Sequence, residues 1–442
     1  MDRLYSFFNL VKNEYIKIYK KTSTRIMLVI FLAVCICFAP LMKLINHFAI
    51  QAFGGDFDEI SYVQETLEDA KNDLDKKEDD PLKEERAALI EVVDPESEWQ
   101  FQGYISAMAS NDKQKIQRMT MLCKLDDWRG FCQYMTDNAI SQGDQWAYSY
   151  RLEHEIAFTE EFEKQNRVID QVAMAMNGMA ETGLGSSGLS ASDQIAIGKY
   201  QLENGIYDNT STKGGSLLNI DPTVKMDFWA VYLKTPFVVT LIGVIMVVVA
   251  GSIVAGEFSQ GTIKFLLINP VSRGKILMAK YVTVMSLGLL LIIALMLINI
   301  PMIGIFFGFD GFTAPYLYVK DGEVLSHSSF IYLFKSYMLA SCEIIVTTTL
   351  SFMISSMLRS TALAIVAGFL TRSIGPSVVQ IMAMLKMDWG RYLIFANTDL
   401  LSISNGESVF QQHTVTFALG VVAAHLIVFL LTAWDGFTRR SV

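Results

Sequence analysis

Few residues of this 442-residue chain are spaced for chemistry. The nearest approach to a phosphate-binding loop is Asn269-Pro-Val-Ser-Arg-Gly-Lys275-Ile276. It lacks the leading glycine, and Ile276 stands where a serine or threonine must reach Mg2+, so it cannot cradle phosphates. No GxSxG, CxxC or HExxH sequence occurs, which leaves no nucleophile elbow and no zinc-ligand spacing. His154, between Glu153 and Glu155, reads as a charged helix surface. These observations predict no catalytic, cofactor-binding or metal-binding residue. Cys123 and Cys132 are nine residues apart across a turn, a separation that permits a disulfide without requiring one.

Polar groups inside apolar runs are a stronger signal, because charge in lipid is costly and functional by default. Glu343 and Arg372 both lie within long apolar stretches. They could pair across a helix bundle or line a water-filled path. Arg372 could also sit beside exposed carbonyls where Gly375-Pro376 interrupts its helix. His425 and Asn299 read as packing hydrogen bonds, since a proton relay needs a chain of such groups.

The elements that position these residues follow from composition. The chain is 52% hydrophobic and only 18% charged, too apolar to be soluble throughout. Its net charge of −9 hides two populations: residues 51–228 carry a net −18 and the remainder a net +9. An acidic polar block in a basic, apolar frame argues against a nucleic-acid binder. It predicts a membrane protein with one large water-exposed domain.

A span needs about 20 apolar residues. Six runs qualify or nearly so: Ile26–Met42, Pro236–Ala255, Tyr281–Phe309, Ser336–Leu358, Ser360–Leu385 and Thr414–Trp434. Pro301 should bend the long third run. Basic residues cluster before the first run, between the second and third, after the fourth and after the sixth. Six spans place all four clusters on one side, with both termini cytoplasmic. Residues 1–25 form an amphipathic interfacial helix with lysines toward anionic lipid heads. Residues 26–46 make the first span, and 47–228 an extracellular helical domain. Residues 229–442 carry spans two to six. The expected class is an all-α multi-pass membrane protein of the cell membrane, on the bacterial pattern. Within the outer domain, 144–177 reads as one long helix. Tyr150-Arg-Leu-Glu-His-Glu-Ile156 echoes Tyr200-Gln-Leu-Glu-Asn-Gly-Ile206. Gly251 with Ala255, and Gly304 with Gly308, would let helices approach closely, a weak sign of a dimer face.

The cytoplasmic loop 256–280 is the most informative segment. A short amphipathic helix with Phe258 and Phe265 on its apolar side is stopped by Pro270, and Ser272 can cap the next helix. Such a helix suits a groove in a soluble partner. Glu257, Gly261, Thr262, Leu266, Leu267, Pro270, Ser272, Arg273 and Lys280 carry the run E-x3-GT-x4-LL-x2-P-x-SR-x6-K. This run resembles the loop after the second span in permease subunits of type-2 (exporter) ABC transporters. Six spans, an amphipathic leader and a large insertion after the first span resemble that family too.

The resemblance implies a translocation path coupled to a separate ATP-binding cassette subunit. ATP and Mg would be held by that partner and no cofactor by this chain. Glu257, Phe258, Gly261, Thr262, Phe265, Pro270 and Arg273 would form the coupling loop, anchoring and shaping it without catalysis. A second permease copy or a sister permease would complete the path, in contact with membrane lipid and no nucleic acid. A peptide, lipid, drug or ion are all open as substrate. The alternative is a membrane sensor whose outer domain binds a ligand, which the short cytoplasmic segments disfavour.

Overall fold

The computed structural model describes residues 2–49, 59–76, 80–178, 190–207, 226–262, 271–309, 311–320, 322–404 and 408–439. It divides into two compact units. The first unit holds residues 1–44, 226–310 and 330–442. Its leading helix α1 (Asp2–Lys20) is followed by α2 (Thr22–Ala49). The second unit holds residues 45–225 and 311–329.

Among the described residues, six helical stretches are long and apolar enough to cross a membrane: Thr22–Phe48, Phe228–Ile253, Arg273–Phe307, Ser329–Leu358, Thr361–Met384 and Val415–Thr438. They match the six expected runs, with ends moved by up to eight residues. The third shows why. It is one 35-residue helix that begins at Arg273 and continues through Pro301. At 1.5 Å per residue it is about 52 Å long, well beyond a roughly 30 Å hydrocarbon core. Its first two turns carry Arg273, Lys275 and Lys280, charges that hide the helix from an apolar count. Lys43 donates to the carbonyl of Phe306, close to this helix's far end.

The second span ends where its helix breaks at Val254. Ser355 Oγ of the fourth span repairs that break. It donates to the Gly251 carbonyl at 2.8 Å and accepts from the Ala255 N–H at 2.9 Å. The small residues thought to mark a dimer face are used within the chain. A Cβ at Gly251 would strike Ile365 of the fifth span, and one at Gly304 would strike the Phe309 ring.

The second unit contains α3 (Glu59–Lys76), α4 (Lys83–Ile90), α5 (Glu98–Met108), α6 (Lys113–Leu125), α7 (Trp128–Asp137), α8 (Gln142–Glu153), α9 (Glu163–Met176) and α10 (Ala191–Asn204). Side-chain caps start several of these helices, as at Asp112, Asp127, Ser141 and Ser190. Leu89, Ile116, Met119 and Phe131 fill the main core, with Trp99 5.1 Å from Phe131 between ring centres. A second cluster gathers Ala147, Val168, Ile169 and Leu202.

Residues 144–177 are not one helix: α8 stops at Glu153 and α9 starts at Glu163. The Tyr-x-Leu-Glu-x-x-Ile echo is the stop signal. In both copies the isoleucine N–H reaches back five residues, from Ile156 to the Arg151 carbonyl and from Ile206 to the Gln201 carbonyl, each at 3.0 Å. That six-to-one closure is a Schellman cap. It needs a left-handed residue, supplied by Glu155 at φ 55° and Gly205 at φ 67°. Arg151, almost fully buried, then ties the two helices together. It donates to Asn166 Oδ1 and Asp170 Oδ1, both at 2.8 Å.

Among the described residues, one element is not helical. Residues Pro315–Lys320 (β1) and Glu323–Ser328 (β2) form an antiparallel hairpin between the third and fourth spans, packed on α10. The loop after the third span therefore belongs to the same compact unit as the insertion after the first.

Candidate functional site

The strongest chemistry in the first unit is an ion network at the end of the second span. Lys280, on the third span, is 1% exposed. Its ammonium donates to Glu14 Oε2 at 2.8 Å, the Ile253 carbonyl at 3.1 Å and Glu257 Oε1 at 3.3 Å. Lys17 of α1 bridges the same carboxylates from outside, 2.8 Å from Glu257 and 3.2 Å from Glu14. The Thr262 hydroxyl donates to the other oxygen of Glu257. Two carboxylates and two ammoniums thus join α1, the loop after the second span and the third span. Burying either charge type alone would be prohibitive, and pairing permits it.

Burial alone would raise the Glu257 carboxyl. The charges of Lys280 and Lys17, with the Thr262 hydroxyl, outweigh it and hold the group at about 2. Burial likewise opposes charge on Lys17, but its bonds to Glu257 and Glu14 win and raise it above its ordinary 10.5. A depressed carboxyl stabilises the fold above its unfolded value near 4.3, and that contribution is lost as pH falls from there toward 2. A raised lysine stabilises below 10.5 and loses its contribution as pH rises through the higher folded value. Protection of α1 from protease should therefore be flat between pH 5 and 9. A transition inside that window would contradict the network.

The expected loop residues are partly in place. Glu257 and Thr262 are bonded to each other. Gly261 adopts φ 70°, a left-handed conformation with open space around it, which favours glycine for its backbone alone. Phe258 is half-buried. The Arg359 guanidinium lies 4.5 Å from its ring centre and Phe437 packs on it edge-on. Arg273 opens the third helix at the Ser272 cap position. Ser272 caps with its backbone carbonyl and makes no side-chain cap bond. Phe265 and Pro270 lie outside the described residues. Through Glu257 and Phe258, the loop after the second span meets Lys17 of α1, Arg359 of the fourth-to-fifth link and Phe437 of the last helix.

The structure also brings Glu343 and Arg372 together, with Nη1 3.3 Å from Oε1. Gly243 of the second span makes the room, since a Cβ there would collide with the guanidinium. Arg372 Nη1 nonetheless has no hydrogen-bond partner among the described residues. Neither have Ser351 Oγ and Thr348 Oγ1. Glu343, Thr347, Ser351 and Ser355 recur every four residues, one polar ridge down the fourth span, and the last three are buried. That spacing was visible in the sequence and only Glu343 was singled out. Asn299 and His425 bond to carbonyls of their own helices, at Leu295 and Val421.

The Cys123–Cys132 disulfide is corrected: both are buried free thiols. Each packs as a small apolar side chain in the main core of the second unit. Burial pushes them up, to about 11 and about 12, so they stay protonated. His154 stacks on Tyr150 and bonds its carbonyl at the end of α8, a helix-end role.

A family described as a protein of unknown function, DUF2705, matches residues 216–442, which include spans two to six. The uncharacterised protein YhcI of Bacillus subtilis (strain 168) is 34% identical over 252 residues, 57% of this chain and 76% of that protein. The uncharacterised membrane protein YdbK of the same organism is 30% identical over 209 residues, 47% of this chain and 80% of that protein. No solved structure matches. With six membrane-length apolar helices and a relative described as a membrane protein, this is a multi-pass membrane protein, and it belongs to the DUF2705 family.

Proposed function

We propose that this chain is the permease subunit of an ATP-driven exporter, coupled through loop 256–280 to a separate ATP-binding cassette subunit. The observation that carries the reading is the ion network. Three residues of the exporter-like run, Glu257, Thr262 and Lys280, are bonded at the base of the loop. The same network grips α1 through Glu14 and Lys17. A force on the loop would then move the interfacial helix and the third span as one piece, which coupling requires. In this reading both termini face the cytoplasm, residues 47–228 face outside, and a second permease copy or a sister permease completes the path. The polar ridge of the fourth span, with Glu343 and Arg372, would line or gate that path. The transported species would be a peptide, lipid, drug or ion.

Co-purification tests the reading. The chain in detergent should retain a cassette ATPase in stoichiometric amount. Phe265→Glu should release the ATPase while the chain stays inserted and folded. Retention unaffected by Phe265→Glu would remove loop docking, and absence of any association would remove the permease.

A further inference from the structure

An open cleft of about 840 Å3 lies between α1 and the ends of the second and third spans. The buried part of its lining is apolar at Val249, Ile253, Ile276 and Ala279, with polar Ser252, Gln260 and Thr262 beside them. Its rim carries Lys17, Lys20 and Lys21. Within the cleft, Glu14 and Glu257 are balanced by Lys17 and Lys280. The side chains of Lys20 and Lys21 make no hydrogen bond or ion pair among the described residues, so the rim holds uncompensated positive charge. Lys21 is the single residue between α1 and the helix that opens the first span at Thr22. These ammoniums therefore stand where the chain enters lipid, the depth of the headgroups.

We propose that this cleft binds the headgroup of an anionic phospholipid from the leaflet on the α1 side. The phosphate would lie against Lys20 and Lys21, and the glycerol and upper acyl chain against the apolar part of the lining. A free phosphate would use the lysines but leave that part wet. Apolar lining beside uncompensated ammoniums is the complement of an amphiphile. The site would fasten α1 to the bilayer at a fixed place, beyond the diffuse attraction of a basic helix.

The test uses the delipidated full chain in neutral detergent, with phosphatidylglycerol and phosphatidylcholine of identical acyl chains read by native mass spectrometry. Phosphatidylglycerol should bind tighter. Lys20→Gln with Lys21→Gln should cut that preference by roughly 30-fold, about a factor of five per lysine near a headgroup. Lys12→Gln, exposed on α1 and away from the cleft, should keep it. Equal binding of the two lipids overturns the site, as does an unchanged preference in the double variant or an equal loss in Lys12→Gln. Glycerol phosphate competing as well as the lipid would make it a free-anion site. A preference that emerges only when residues 263–270 are replaced by a Gly-Ser linker would mean the chain's own loop fills the cleft. Either result overturns the lipid.

Discussion

Lys280→Met should free the leading helix and cost about 3–5 kcal/mol, the range for breaking a buried ion pair from one side. Lys280 is 1% exposed and gives three hydrogen bonds to Glu14, Glu257 and the Ile253 carbonyl. Methionine replaces the stem and none of the charge. Glu14 and Glu257, 8% and 12% exposed at their side chains, would be left to Lys17 alone. Lys17 is 49% exposed, so its own removal should cost no more than about 1 kcal/mol. The double change Glu14→Gln with Lys280→Met should recover part of the loss, because it removes an unpaired charge along with its partner. Thermal unfolding in detergent and trypsin cleavage within α1 measure all three. Lys280→Met and Lys17→Met behaving alike would contradict the buried role of Lys280.

Arg372→Leu should be the other severe single change. It leaves Glu343 unpaired inside the bundle, which costs about 3 kcal/mol for an acid at membrane depth. Glu343→Leu leaves the guanidinium in the pocket cleared by Gly243, with no counter-charge. Exchanging the two residues restores the pair, so the swap should fold and function better than either neutral variant. Yield of folded protein and thermal midpoint are the readouts. Equal damage from all three would show that the 3.3 Å approach contributes nothing.

The spans were legible because lipid imposes a length and a composition that nothing else in the sequence imitates. Their ends were not, because Arg273, Lys275 and Lys280 continue a helix that hydropathy alone terminates. Glu343 and Arg372 stood out for the cost of a charge in an apolar run. Glu14 and Lys17 did not, since a carboxylate and an amine in an amphipathic leader read as a solvated face. Their partner Lys280 is hundreds of residues away, and no local period specifies such a meeting. The break between α8 and α9 was written in the Tyr-x-Leu-Glu-x-x-Ile echo, but the left-handed residue is Glu155 in one copy and Gly205 in the other. Only the glycine is a local stop sign. The hairpin carries an Asp321-Gly322 pair between its two strands, a hairpin-turn signal. It was overlooked because the strands are six residues each and flanked by spans.

In the proposed coupling, loop 256–280 transmits ATP-driven work from a separate cassette subunit. The direct measurement is ATP turnover by that subunit in vesicles, alone, with the wild-type chain and with Lys280→Met. Turnover that changes severalfold on adding the chain, and returns toward the isolated rate with Lys280→Met while the chain remains inserted, is the predicted result. Turnover indifferent to a stable, inserted wild-type chain would contradict it.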